Sequence, residues 1–172
     1  YGAMQYQGAG YETAGGTPAR EEVPAHGPDF GSTMMMDRSF DPDRFLKSAQ
    51  ELFFKIQGAW NRQDGAALGS LCGPELMRAW DRELAELRAR GQRNRMENIA
   101  LSSSAITEAW TEAGQDYITV RLLANLLDYT VDEKSGAVVA GSNSEPVEFE
   151  EFWTFSRPVG NHPWKLSAVQ QA

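Results

Sequence analysis

The sequence predicts an α+β domain in which three helices precede an antiparallel sheet of about four strands. Between Phe40 and Gly91, apolar residues recur at steps of three and four, the period of helices packed along one side. After Asn94 the period changes to two, which is typical of half-buried strands. Turn-forming residues at 132–136 and 141–144 separate the later strands. Because the helices come before the strands, we expect them to cover one face of the sheet.

The first helix is predicted to begin after Asp41, which is a good N-cap residue. Pro42 suits the first helical position, and Phe40 and Phe45 have the spacing of a hydrophobic staple. The residues that then share one helix face are Phe45, Ala49, Leu52, Phe53, Ile56, Ala59 and Trp60. This apolar stripe predicts a long amphipathic helix packed on another surface.

Two more helices are predicted before the sheet. Asp64 and Gly65 end the first helix, and a short helical segment follows through Leu68 and Leu71. The segment 73–75, Gly-Pro-Glu, begins a third helix. The apolar face of the third helix consists of Leu76, Trp80, Leu84 and Leu87.

The first strand region contains a change of phase. Ile99 and Leu101 share one face, whereas Ile106 and Trp110 share a face of the opposite parity. We therefore expect a bulge or bend within residues 102–104, which would turn the strand over.

The remaining strands are predicted from alternation of apolar and polar residues. The apolar positions of the second strand are Ile118, Val120, Leu122, Ala124 and Leu126. Those of the third are Val147, Phe149, Trp153 and Phe155, and those of the last are Trp164, Leu166 and Ala168. Residues 137–140 are expected to pair only briefly.

The chain divides by composition into a linker, residues 1–38, and one domain, residues 39–172. Glycine, proline, alanine and polar residues dominate the first part without an apolar period, which predicts a flexible linker. The run Met34–Met36 is either an anchor for a partner or incidental. The sequence has no run of 18 apolar residues. Since the chain begins with Tyr1 rather than methionine, we expect a missing upstream anchor or signal segment.

The charge balance argues against a nucleic-acid partner. Lys and Arg number 16 against 24 Asp and Glu, which gives a net charge of −8 and opposes contact with phosphates. Cys72 is the only cysteine and His26 and His162 are the only histidines, so no structural metal site is predicted. Cys72 is either a nucleophile with His162 as its base or a small buried hydrophobe. No glycine-rich phosphate loop is present, and no cofactor is predicted.

Two carboxylates have the alternation of core residues. Glu151 has the parity of Phe149 and Trp153, and Asp128 has the parity of the residues from Val120 to Leu126. A carboxylate that faces an apolar interior has a raised pKa and can work as a general base. The alternative is that both residues lie where a strand frays or bulges toward water.

Four arginines follow one another at the end of the third helix with no acidic residue among them: Arg88, Arg90, Arg93 and Arg95. Such a patch can bind anionic lipid headgroups at about 1 kcal/mol per charge near the surface. The alternative is a solvated helix end, where cations also favour the helix C-terminus.

Five segments of this sequence, taken in order, resemble the Tim44-like domain family, the family of subunit 44 of the mitochondrial inner-membrane translocase. They are FLKSAQELFFKIQGAWNRQD, LRARGQRNRMENI, QDYITVRLLANLLDYTVDEKSG, EFWTFSR and WKLSAVQQ, within residues 40–171. The resemblance implies the fold of nuclear transport factor 2, a cystatin-like cone of helices on a curved antiparallel sheet with a large apolar pocket.

The resemblance also implies a non-catalytic role at an inner membrane, as a scaffold or transport accessory that binds lipid or protein. The expected partners are an anionic lipid such as cardiolipin, or an acyl chain, and an unidentified membrane protein. The long charged helical region that tethers a chaperone in mitochondrial members is absent. The resemblance therefore favours a bacterial inner-membrane protein over a mitochondrial one.

A pocket of the family type would lie between the helices and the sheet and would hold an acyl chain or a hydrophobic peptide. Its expected walls are Phe53, Trp60, Leu76, Trp80, Trp110, Val120, Leu122, Phe149, Trp153 and Phe155. The alternative is that these side chains simply fill the core. The same fold also houses isomerases, dehydratases and hydrolases, for which Asp128, Tyr129 and Glu151 are the candidate catalytic groups.

Overall fold

The computed structural model of the protein describes residues 40–172, and the predicted linker of residues 1–38 lies outside them. Three helices come first: α1 (Pro42–Asn61), α2 (Gly65–Leu71) and α3 (Pro74–Ala89). Five strands follow: β1 (Gln92–Glu112), β2 (Gln115–Asp132), β3 (Val138–Gly141), β4 (Val147–Pro158) and β5 (Lys165–Gln171). The predicted α+β class and the order of helices before strands are confirmed, with one short strand more than predicted.

Side-chain contacts at the start of α1 explain why the first helix begins where the sequence predicts. The Asp41 carboxylate accepts hydrogen bonds from the backbone N–H groups of Asp43 at 3.0 Å and Arg44 at 3.2 Å. These donors have no partner inside the helix. The rings of Phe40 and Phe45 lie 6.0 Å apart, as the predicted staple requires. No helix within residues 40–172 is both long and apolar enough to cross a lipid bilayer.

The sheet is antiparallel, with the strand order β1-β2-β4-β5. β2 pairs with β1 along one edge and with β4 along the other, from Gln115 to Leu126. The short β3 pairs with Tyr129 to Val131, beyond the end of β4. The helices pack on the face of the sheet that we call the helix-facing side. Along β2 this side is formed by Ile118, Val120, Leu122, Ala124 and Leu126, all of them buried.

β1 is one long strand whose pairing with β2 shifts three times. The shifts lie between Glu97 and Ala100, between Leu101 and Ser103, and between Ile106 and Glu108. The second shift confirms the bulge predicted within residues 102–104. The first and the third were not predicted, and the third turns the strand over once more. Ile106 is therefore opposite Val120 on the helix-facing side. Trp110 is opposite Tyr117 on the other side of the sheet, which we call the outer face. The prediction that Ile106 and Trp110 share a face is wrong.

A register shift in β5 has the same kind of consequence. The pairing of β4 with β5 shifts between Thr154 and Phe155, so β5 contains an extra residue at this point. Leu166 is fully buried, but Ala168, which shares its parity, is exposed. Val169 is buried instead, so the expected inward position of Ala168 is wrong.

The C-terminal end of α1 covers the free edge of β1, the edge that does not pair with β2. The Asn61 side chain accepts a hydrogen bond from the Met96 N–H at 2.8 Å and donates one to the Met96 carbonyl at 2.7 Å. Gln63 donates another to the Gln92 carbonyl at 3.1 Å. These amides take the place of a further strand, which satisfies backbone groups that an edge strand would otherwise expose.

The segment between α2 and α3 covers the edge of β5 at the other end of the sheet. The Gly73 N–H donates to the Leu166 carbonyl at 2.7 Å, and Cys72 forms a parallel bridge with Leu166. Burial raises the pKa of the Cys72 thiol to about 12, against the smaller opposing effect of Lys165. Cys72 is therefore a buried thiol, and the nucleophile alternative, with exposed His162 as its base, is not supported.

Candidate functional site

The residues predicted to line a pocket fall into three groups. Seven of them are at most 1% exposed and belong to the core between helices and sheet: Phe53, Trp60, Trp80, Val120, Leu122, Trp153 and Phe155. Leu76 and Phe149 are half-buried and pack against that core. Trp110 lies on the outer face because of the third bulge in β1, so its assignment to the pocket is wrong.

Aromatic contacts join the helices to the sheet across the layer of buried side chains between them, which we call the interlayer. The ring centroid of Phe53 in α1 lies 5.0 Å from Trp153 and 6.2 Å from Phe149, both in β4. Trp60, two turns further along α1, contacts Trp80 of α3 at 5.7 Å with an edge-to-face tilt of 69°. Aromatic side chains therefore form contacts between α1, α3 and β4 in the interlayer.

Glu151 lies inside this apolar region. It is on the helix-facing side of β4, opposite Leu122, and is only 3% exposed. Its two oxygens accept hydrogen bonds from Trp153 Nε1 at 2.7 Å and Gln171 Nε2 at 3.0 Å. Burial raises the pKa of Glu151 to about 7, the two hydrogen bonds oppose this, and the Asp128 carboxylate adds to it. The alternative that Glu151 lies at a frayed strand end is wrong.

Asp128 belongs to a polar group at one end of the interlayer. Trp60 Nε1 donates to Asn94 Oδ1 at 2.9 Å, and Asn94 Nδ2 donates to Asp128 Oδ1 at 2.9 Å. Burial raises the pKa of Asp128, and the hydrogen bond from Asn94 works in the opposite direction. Asp128 is half-buried. Asp128 and Glu151 are therefore two carboxylates on the helix-facing side of the sheet that are each bound by neutral donors of the described chain.

Tyr129 does not join this pair. It follows Asp128 in β2 and so lies on the outer face, opposite Arg95 of β1. Burial raises the pKa of Tyr129, and Glu97 and Arg95 act on it in opposite directions. The three candidate catalytic residues are thus divided between two faces, with Asp128 and Glu151 on one and Tyr129 on the other.

The four predicted lipid-binding arginines are not equivalent. Arg93 Nε lies 2.8 Å from Glu133 Oε1, and Arg95 Nη1 lies 3.5 Å from Glu97 Oε1. The patch that has no acidic residue in sequence therefore receives two acidic partners in the fold. This pairing lowers the positive charge that the patch presents.

Arg88 and Arg90 lie at the end of α3, and both are exposed. Arg88 Nη2 donates to the Gln63 carbonyl at 2.6 Å, which joins α3 to the end of α1. Neither guanidinium has an ion-pair partner among residues 40–172. These two arginines therefore carry most of the free positive charge of the predicted patch.

Sequence reasoning missed the polar partners inside the core. Gln57 is 3% exposed, and its Oε1 has no hydrogen-bond partner in the described structure. Its position, four residues after Phe53 and three before Trp60, places it on the buried face of α1. That spacing was the available signal for Gln57. Asn94 and Gln171 have no such signal, because their contacts depend on strand register.

A buried ion pair lies at the opposite end of the helix-facing side. Asp116 and Arg157 are opposite each other on β2 and β4, with Arg157 Nε 3.5 Å from Asp116 Oδ2. Thr111 donates to the other Asp116 oxygen at 2.7 Å, and the Arg157 guanidinium lies 4.5 Å from the Trp164 ring centre. Unlike Glu151, Asp116 thus has a cation beside it.

Helices packed on one face of an antiparallel sheet define this protein as a two-layer α+β domain. The family model for the Tim44-like domain matches residues 30–171, and the chain therefore belongs to the Tim44-like domain family. Domains of this family are nuclear transport factor 2-like, membrane-associated and generally non-catalytic accessory domains. The resemblance inferred from five sequence segments is confirmed.

Among solved structures, the chain is similar to the intermembrane space region of the chloroplast protein ARC6. The similarity has a TM-score of 0.49 and 11% sequence identity, and it covers 73% of this chain and 95% of that chain. No curated protein matches the sequence.

Proposed function

We propose that this domain is a non-catalytic accessory domain of membrane transport that binds an acyl chain or a hydrophobic peptide between its helices and its sheet. The observation that carries the proposal is the match to the Tim44-like domain over residues 30–171. In this proposal the fold is the cystatin-like cone of the nuclear transport factor 2 class. The protein is a scaffold at a bacterial inner membrane, with cardiolipin among its lipids and a membrane protein as its partner.

A gradient of exposure along β4 supports a route into the interlayer. Val147, Phe149 and Trp153 all lie on the helix-facing side of this strand. Val147 is 43% exposed, Phe149 is half-buried and Trp153 is fully buried. Phe54 of α1, whose ring lies 5.2 Å from Phe53, is 46% exposed. Apolar side chains thus continue from the surface to the core at this end of the domain, which suits an acyl chain.

Charge favours weak, oriented contact with an anionic membrane. The net charge of −8 opposes adsorption, while exposed Arg88 and Arg90 add a local attraction of about 1 kcal/mol each near an anionic surface. The domain therefore orients on the membrane through these arginines, and stronger attachment comes from elsewhere in the protein.

Vesicle flotation tests the electrostatic part of this proposal. The full chain is floated with phosphatidylcholine vesicles that contain cardiolipin, at low and at physiological salt. Arg88→Gln with Arg90→Gln should reduce binding at low salt more than Arg93→Gln with Arg95→Gln, because the latter pair has acidic partners. Binding should weaken at physiological salt, where the Debye length is about 8 Å. Tight, salt-resistant binding by both double variants would contradict the electrostatic account and indicate insertion of an apolar face.

Tryptophan quenching tests the interlayer part. In a Trp110→Phe protein the outer-face indole is gone, so a brominated fatty acid that enters the interlayer should quench the remaining fluorescence through contact with Trp153. Val147→Glu should weaken this binding about tenfold, because a charge at the opening costs desolvation. Val139→Glu is the matched control, since it changes an exposed valine of β3. Equal affinities of the two glutamate variants would contradict the proposed route.

A second candidate is a pocket enzyme of the isomerase, dehydratase or hydrolase type that uses Glu151. The observation that favours it is a buried carboxylate whose pKa is raised to about 7 by burial. Against it, both Glu151 oxygens already accept hydrogen bonds from Trp153 and Gln171. A panel of carbonyl and epoxide substrates would test it. Turnover that Glu151→Gln abolishes and Glu150→Gln retains would favour the enzyme over the binding domain.

A further inference from the structure

The outer face of the sheet carries a stacked pair of aromatic rings beside the turn that joins β1 to β2. Trp110 and Tyr117 are directly opposite each other on these strands. Their rings are stacked, with centroids 5.0 Å apart and planes 10° from parallel. Both side chains are half-buried. The helices of residues 40–172 pack on the opposite face, where Ile118 and Val120 alternate with Tyr117 in β2.

Two carboxylates flank this aromatic pair. Glu108 and Glu112 lie two residues on either side of Trp110, and no register shift separates the three, so all share the outer face. Both glutamates are exposed and have no ion-pair partner in the described part of the chain. Across the sheet from Tyr117, Ser156 of β4 is the first neighbour and Lys165 of β5 is the second. Lys165 is therefore the next basic residue in this cross-strand direction, and it lies two strands from Tyr117. We call Glu108, Trp110, Glu112 and Tyr117 the aromatic platform.

The chemistry of the aromatic platform is that of a cation site. The face of a Trp or Tyr ring attracts a cation placed over it, and a planar guanidinium also stacks on the ring. Carboxylates beside the ring add paired hydrogen bonds that match the fork of an arginine side chain. Within this chain, the buried Arg157 already lies 4.5 Å from the ring centre of Trp164.

Charge decides which occupant fits. The linker of this chain, residues 1–38, contains five acidic and two basic residues, so it is poorly suited to an acidic surface. A second copy carries a net charge of −8 and presents the same two glutamates, which would repel each other face to face. A basic segment of a different protein meets neither obstacle.

We propose that the aromatic platform binds arginine side chains of a basic segment in a partner protein. A guanidinium stacks on the face of the Trp110 ring that Tyr117 does not cover and forms ion pairs with Glu108 and Glu112. This interaction surface lies on the face opposite the interlayer, so it stands whether or not the interlayer binds an acyl chain.

Nuclear magnetic resonance of the full chain tests the inference at a single atom. The probe is an acetylated and amidated nine-residue peptide of alternating arginine and glycine, with lysine and glutamine versions alongside. The Nε1–H signal of Trp110, identified by its loss in Trp110→Phe, should shift when the arginine peptide is added. The lysine peptide should bind about three- to tenfold more weakly, and the glutamine peptide should leave the signal in place.

Two matched double variants separate the platform from general electrostatics. Glu108→Gln with Glu112→Gln should weaken binding of the arginine peptide about tenfold, because both ion pairs are lost. Glu145→Gln with Glu148→Gln removes the same charge from exposed positions at the other end of the sheet, and it should change the affinity less than about twofold. Equal losses in the two variants, or equal binding of arginine and glutamine peptides, would overturn the proposal. A Trp110 signal that shifts with protein concentration alone would also overturn it, by showing that a second copy occupies the platform.

Discussion

The two faces of the sheet are built from the same strands, yet they provide opposite environments. In β4, Phe152 lies half-buried on the outer face, while the next residue, Trp153, is fully buried against Phe53 of α1. On the helix-facing side, the buried carboxylate of Glu151 accepts a hydrogen bond from the indole of Trp153. On the outer face, the stacked pair of Trp110 and Tyr117 meets water beside exposed carboxylates. The difference shows that alternation along a strand, and not residue type, assigns these side chains to their roles.

Two neighbouring glutamates show the same contrast. Glu150 lies on the outer face and forms an ion pair with Arg121. Glu151 lies in the interlayer, where Trp153 and Gln171 bind it through neutral N–H groups. A buried carboxylate with neutral donors keeps a desolvation cost that an exposed, paired one escapes. Folding is therefore coupled to proton binding at Glu151 on the helix-facing side.

Truncation of one aromatic ring on each face should give the largest difference between the two. Phe155→Ala removes a fully buried ring that contacts Trp153 and Phe45, and it should lower the free energy of unfolding by about 3 to 5 kcal/mol. Phe152→Ala removes a half-buried ring from the outer face and should cost about 1 kcal/mol. Urea denaturation measures both values. Comparable losses would mean that the outer face is as well packed as the interlayer.

The helices and strands could be predicted because their signals are local. The cap at Asp41 and the period of the α1 stripe depend on residues close in sequence. The faces of Trp110 and Ala168 could not be predicted, because each follows an extra residue inside a strand. A bulge is selected by how two strands fit together, and the sequence of one strand alone does not specify it.

Part of the candidate site could also be predicted from the sequence. The parity of Glu151 placed its carboxylate inward, since no bulge separates it from Trp153. Its partner Gln171 became evident only from the pairing of β4 with β5, and Asn94 only from its contacts with Trp60 and Asp128. Of the two ion pairs that reduce the arginine patch, one comes from Glu133, beyond the end of β2, whereas Glu97 is two residues from Arg95 within β1. The periodicity of the sequence therefore does not predict which distant residues bind the polar groups of the site.

The pH dependence of folding should separate the two glutamates. The pKa of Glu151 is raised from 4.5 to about 7 mainly by burial, so the folded state binds more protons than the unfolded state between these values. The free energy of unfolding should therefore fall as pH rises, by about 2 to 3 kcal/mol between pH 5 and pH 8 for this group. The raised pKa of Asp128 adds a slope of the same sign. Glu151→Gln replaces the carboxylate with a neutral amide. The variant should therefore lose the part of the decrease in unfolding free energy that Glu151 causes.

Glu150→Gln is the matched control, because it removes a carboxylate one residue away on the outer face. Its unfolding profile should retain the fall that Glu151 causes. Urea denaturation at several pH values from 5 to 8 gives the slopes. If Glu151→Gln and the unmodified protein show the same slope, proton binding in the interlayer belongs to other groups.

The smallest effect is expected at the two-residue turn between β1 and β2, the strands that carry Trp110 and Tyr117. Ala113 has a φ of 48° and Gly114 a φ of 76°, the pattern of a type I′ hairpin turn, in which asparagine is preferred at the first position. A left-handed backbone costs alanine about 1 kcal/mol, and asparagine tolerates it better. Ala113→Asn should therefore raise the free energy of unfolding by about 0.5 kcal/mol. Because Gly114 lies eight residues from Leu122, the residue opposite Glu151, the gain should leave the pH slope due to Glu151 unchanged. A loss of stability, or a changed slope, would show that the two faces are coupled through the hairpin.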